Sequence, residues 1–186
     1  MAYDRSTARR QSMMVAFCGM AAGLSVVMML LGGVIPIATY AVPMLCGLIL
    51  LPVLLEFGQA AAWATFFSVA FLSLLLGFDK EAAFFYLFLG YYPIVKWRLD
   101  QLKPPFFRIL MKALLFIGAM GAMYGLLSLL FPLEAFMREF QEMGAAALAL
   151  FILVYAVCMF LYDRLLMPMV LFYANRIQPK MKFLRK

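Results

Sequence analysis

The chain has 186 residues, 67% of them hydrophobic and only 13% charged, with a mean hydropathy of +0.98. Long apolar blocks with so few charges exclude a water-soluble globular domain, and continuous blocks in place of period-two alternation exclude a β-barrel. The net charge of +7 reads as topology and not as nucleic-acid binding, because Lys and Arg of membrane proteins collect in cytoplasmic loops.

Arg5, Arg9 and Arg10 precede a first predicted span over 13–31. The apolar run is too long for a signal-peptide core and has no small-x-small cleavage site, so it reads as a retained transmembrane helix. Ala16, Gly19, Ala22 and Gly23 give it a small-residue stripe. Gly19-x-x-x-Gly23 admits close approach of another backbone, either from this chain or from a separate membrane subunit. Gly32-Gly33 ends the span, and a short, partly apolar link runs through Pro36, Thr39 and Tyr40 to Pro43.

A second span covers 42–55, Glu56-Phe57-Gly58 makes a tight turn, and a third span covers 59–78. Asp79-Lys80-Glu81 opens a fourth over 82–97, in which Pro93 removes an amide donor and predicts a kink. Tyr91, Tyr92 and Trp97 are spaced as an interfacial aromatic belt. Pro104-Pro105 stops any helix, and 106–112 reads as a stretch along the interface with Arg108 and Lys112 snorkelling. The fifth span, 113–131, carries a second small face at Gly118, Gly121, Ala122 and Gly125. After it, 132–143 reads as a short amphipathic surface segment. The sixth span covers 144–162, with Asp163-Arg164 at its inner end and a basic cytoplasmic tail over 174–186.

Six spans with both termini inside place all basic residues except Lys80 and Arg138, 14 of the 16, on the cytoplasmic side. The inverted arrangement would set the same 14 outside, against the positive-inside rule. The expected fold is therefore all-α: one polytopic domain, a six-helix bundle with cytoplasmic N- and C-termini in a bacterial plasma membrane.

Catalytic signatures are missing from the sequence. It has no His, no HExxH, no Gly-rich phosphate loop and no Gly-x-Ser-x-Gly, and its nine acids fall at span ends or in loops. The expectation is a non-enzyme without metal or cofactor. Cys18, Cys46 and Cys158 lie in apolar segments and read as small packing residues. Charge-free span cores argue against an ion pump or channel. The remaining polar set lies at the outer ends: Tyr40, Asp79, Lys80, Glu81, Tyr86, Tyr124 and Ser128. Mixed charge and aromatic groups above an apolar bundle suit a small polar or amphiphilic solute; the alternative is a solvated rim of loops. On the inner side, Asp163-Arg164 reads as an interfacial ion pair and Tyr91-Tyr92-Pro93 as a kink, or both as a partner contact.

In architecture the chain resembles the S components, the substrate-binding membrane subunits of energy-coupling factor (ECF) transporters. The likeness lies in the basic N-terminus, six helices in under 200 residues, the stripe Ala16, Gly19, Gly23, and the Pro-containing link from Pro36 to Pro43. Gly19-x-x-x-Gly23 stands in for the Ala-x-x-x-Ala pair usual in such subunits. The resemblance implies a vitamin-like or other small-metabolite solute held in an outward pocket. It also implies docking of the stripe on a transmembrane coupling subunit, and ATPases that supply energy. The reading from another class is a membrane scaffold or assembly protein that binds other membrane proteins through its Gly/Ala faces. A solute binder needs the outer polar residues to converge on a pocket, and a scaffold needs small-residue faces left open.

Overall fold

The computed structural model describes residues 2–32, 38–76, 80–101, 105–130 and 145–179. Among them every regular element is helical: α1 (Ala2–Gly32), α2 (Ala38–Phe57), α3 (Gln59–Leu76), α4 (Lys80–Leu89), α5 (Tyr92–Leu99), α6 (Pro105–Leu130) and α7 (Ala145–Phe172), which continues as a π-helical turn, Tyr173–Ile177. Four stretches are long and apolar enough to cross a membrane: Ala8–Gly32, Gln59–Leu76, Phe106–Met123 and Leu153–Ile177. Ala41–Phe57 is a shorter apolar helix. The link over 33–37, the Asp79 turn, the amphipathic segment expected over 132–143 and the tail beyond 179 lie outside the described residues.

Local chemistry explains where the helices stop. Gly58 takes φ +84°, the left-handed conformation open to glycine, and its N–H closes the end of α2 on the Leu54 carbonyl at 3.1 Å. The stretch expected as a single span over 82–97 is two helices, because Pro93 has no N–H to give the Leu89 carbonyl. The Ile94 N–H turns instead to the Tyr91 carbonyl at 3.0 Å, and α5 starts afresh at Tyr92. Residues 106–112, expected along the interface, form the first two turns of α6, which starts on Pro105, a favoured first helical residue. The last helix passes its expected end at 162 and continues through Pro168.

The centre of the bundle is α2, which packs against α1, α3, α4, α5 and α7. Its Cys46, Leu50 and Val53 are fully buried, in a core shared with Ala62, Phe66, Val69 and Tyr86. A second core joins Phe84, Phe85 and Leu89 of α4 to Ala119 and Met123 of α6 and Met159 of α7. A third joins Leu51, Tyr92, Leu99, Tyr162 and Leu166. The outer faces are apolar too: Val15, Met20 and Leu24 on α1, Ile109 and Ile117 on α6, and Leu153 and Phe160 on α7 are all exposed. Hydrocarbon rather than water is the solvent such a surface suits.

The glycines divide sharply. A Cβ on Gly47 would stand 2.4 Å from Tyr162 Oη and 3.3 Å from the Gly90 carbonyl oxygen, whereas one on Gly118 would meet nothing within 4 Å. Gly47→Ala is therefore expected to destabilise the detergent-solubilised protein by roughly 1–3 kcal/mol through overpacking. Gly118→Ala is expected to be neutral or to stabilise it by up to about 1 kcal/mol through helix propensity. Thermal unfolding of the two variants side by side checks this; an equal effect would show that the α2–α7 approach is not tight.

Candidate functional site

The most concentrated chemistry lies between α5, α6 and α7. Tyr92 and Lys96 are one turn apart on α5, Asp100 follows its last turn, Lys112 is on the second turn of α6, and Asp163 is on α7. The Tyr92 hydroxyl and the Lys96 ammonium both donate to Asp163 Oδ1, and Lys96 Nζ also reaches the Asp163 backbone carbonyl at 2.9 Å. Lys112 Nζ donates to both Asp163 oxygens, at 3.0 and 3.1 Å, and pairs with Asp100 Oδ1 at 2.7 Å. Lys96 and Asp100 close the ring at 3.6 Å.

Two ammonium groups thus meet two carboxylates, and the cluster is neutral as a whole. The lysine side chains are 12% and 14% exposed against 34% for Asp100, so the lysines are its inner members. Tyr92 is fully buried, its ring 4.6 Å from Phe116 and 5.8 Å from Tyr162. Lys112 and Asp163 both fall within apolar stretches long enough to span a membrane. Charges in such stretches are retained where they pair, and they mark functional or strongly structural positions. Beside the cluster opens a cleft of about 250 Å³, walled by Leu51, Leu54, Trp97 and Leu166 with Lys96 and Asp100 on one side.

The sequence reading missed this cluster. It paired Asp163 with Arg164, but successive helical residues diverge and do not face each other. Arg164 turns outward over the Phe160 ring, 5.0 Å from its centroid, while Asp163 turns inward. Lys112, read as snorkelling, points into the same group. The available signal was an acid and a lysine in otherwise apolar stretches, with Tyr92 and Lys96 at helical spacing.

The residues expected to bind solute are placed differently. Tyr40 begins α2, Lys80 and Glu81 begin α4, and Tyr124 and Ser128 lie on the last turns of α6, so the topology brings these helix ends to the side opposite the charged cluster. Asp79 lies outside the described residues. Lys80 is exposed and its Nζ donates to the Leu74 carbonyl at 2.7 Å; Glu81 is also exposed. Tyr86, expected in the outer polar set, is instead fully buried, with its ring 5.3 Å from Phe66. Neither the cleft beside Lys96 nor the larger groove along α1 is lined by Lys80, Glu81 or Tyr86. The expected docking residues Ala16, Gly19 and Gly23 are all exposed. Among the described residues no three His, Cys, Asp or Glu side chains form a metal-binding group.

No protein-family model, curated protein or solved structure matches the chain.

Removing Asp163 alone would leave two largely buried ammonium groups sharing one carboxylate. Asp163→Leu is expected to cost about 3 kcal/mol, the size of a broken buried ion pair. Adding Lys96→Met restores the balance of one lysine and one aspartate, so the double variant should lose less than the sum of the single losses. A double-mutant cycle on unfolding in mixed micelles reads this coupling; simple additivity would show that the two side chains do not act as a pair.

Proposed function

We propose that this chain is a non-catalytic, multi-pass membrane subunit that works docked against a second membrane protein. S components of ECF importers sit in this way on their coupling subunit. The observation supporting this is the open face of α1. Cβ atoms placed on Gly19 and Gly23 meet nothing within 4 Å, and Ala16 is exposed beside them. The opposite face of the same helix, with Ala22, Ser25, Val26 and Met29, is already packed on the bundle. Next to the open glycines runs an apolar groove of about 560 Å³ between α1, α2 and α7, lined by Met20, Leu24, Leu45, Ile49 and Met169.

Within a bilayer, lipid tails are as apolar as Leu, so hydrophobicity alone does not bring two helices together. Close backbone contact over glycines does, because it increases packing and admits weak backbone interactions. Of the stripe, Ala22 is used inside the chain, while Ala16, Gly19 and Gly23 are left open among the described residues. In the importer form of the function, a solute would bind at the end where Tyr40, Lys80, Glu81, Tyr124 and Ser128 gather, with both termini on the basic, cytoplasmic side. That half of the reading is carried by the resemblance to S components. In the scaffold form the same face would serve without a solute.

Gly19→Leu with Gly23→Leu tests docking directly, since the space around both positions lets the fold accept the side chains. A photo-crosslinker at Met20 in native membranes is expected to capture one discrete multi-pass protein, and the double substitution to abolish that product while leaving the Tm unchanged. Crosslinking that persists in the double variant, or that yields only lipid adducts in the wild type, would sink the proposal. Native mass spectrometry then separates its two forms: a small molecule retained by the wild-type chain and lost with Glu81→Ala marks the importer.

A further inference from the structure

A second polar group lies deeper in the bundle, where α2, α4 and α7 meet at the break before α5. Tyr86 is fully buried and Tyr162 is 4% exposed, and neither hydroxyl meets a hydrogen-bonding group among the described residues. Ser25 Oγ and Ser73 Oγ share this condition. A helical serine can turn back to a carbonyl of its own helix, as Ser68 does to the Ala64 carbonyl at 2.9 Å. A tyrosine hydroxyl, held at the far end of a rigid ring, cannot.

The two hydroxyls lie in one neighbourhood. Tyr162 Oη and the Gly90 carbonyl oxygen both press on Gly47, and the Tyr86 ring lies against Gly90. The break supplies acceptors: Pro93 has no N–H for the Leu89 carbonyl, and the Ile94 N–H has turned from Gly90 to Tyr91. A buried hydroxyl without a bond destabilises the fold, and Phe at either position would fill the same space without that cost.

We infer that this junction is an internal hydration site, at which bound water bridges Tyr86 Oη and Tyr162 Oη to the carbonyls freed at the α4–α5 break. Water both donates and accepts, so it can serve hydroxyl donors and carbonyl acceptors at once. Broken helices inside membrane bundles are tolerated where such partners satisfy the freed backbone. The site makes the break a stable, hydrated joint between α4 and α5.

Radiolytic hydroxyl labelling of the full chain in lipid nanodiscs tests this, because radicals formed from bound water oxidise buried aromatic rings that bulk solvent cannot reach. Tyr86 and Tyr162 are expected to be labelled several-fold faster than Phe85, which is equally buried in an all-apolar core. Tyr86→Phe and Tyr162→Phe supply the second arm. Loss of a water-bridged hydroxyl lowers the Tm by a few degrees, whereas loss of a dry one raises it. Labelling of either tyrosine no faster than Phe85, or a Tm that holds or rises in both variants, would overturn the inference. Faster labelling of both, with a lowered Tm in at least one variant, would support it.

Discussion

A carboxylate held among apolar helices has to be neutralised where it stands, and Asp163 meets that demand from three directions at once. The Tyr92 hydroxyl, Lys96 and Lys112 converge on it, and Asp100 balances the second lysine. The network ties α5, α6 and α7 together at one point. Among the described residues α6 packs mainly on α4, so the Lys112 contacts fix the first turns of α6 in a way that apolar packing alone does not. In a low-dielectric setting a fully satisfied network of this kind specifies one arrangement, since each alternative leaves a charge unpaired.

The glycines carry the complementary constraint. Gly47 and Gly90 let α2 touch the α4–α5 junction with Tyr162 Oη wedged beside them. Gly19, Gly23, Gly118 and Gly121 face open space among the described residues. Both kinds are equally costly to helix propensity. The docking proposed for α1 would give Gly19 and Gly23 a use outside the chain, and the same residue type would then serve both assembly and association.

The sequence made the helical architecture legible through apolar block lengths, and it marked two discontinuities through backbone chemistry: the turn at Gly58 and the break at Pro93. It did not reveal the charged cluster, because every contact to Asp163, its centre, comes from a residue at least 51 positions away in the chain. Asp163 beside Arg164 looks self-sufficient until the ~100° turn between successive helical residues is considered. Tyr86 misled for a similar reason. Five residues past Glu81, it faces into the bundle while Glu81 faces out, so a polar label on both did not put them on one surface. The open and closed glycines are likewise indistinguishable as letters; only the neighbours in space separate Gly47 from Gly19.

These features are unevenly spread, and the unevenness bears on how a docked subunit would respond to its partner. The charged cluster and the helix break belong to α4–α7, while the open docking face belongs to α1, which rests on α2 and α3. Among the described residues α2 touches both sides. Its Cys46 Sγ donates to the Ser25 carbonyl of α1 at 3.4 Å, and the adjacent Gly47 abuts Tyr162 of α7 and Gly90 at the break. With Pro43 and Pro52 interrupting its own ladder of hydrogen bonds, α2 is also less stiff than an uninterrupted helix. A partner helix seated over Gly19 and Gly23 would load α1, and displacement of α1 would reach the α4–α5 break by two routes: through Cys46 and Gly47 of α2, and through α3, whose Phe66 ring lies against Tyr86 and Tyr91. Coupling between a docking face on α1 and the interior would therefore depend on the fit of α2 and α3 together, and a rigid substitution in either would change how far association is felt inside the bundle.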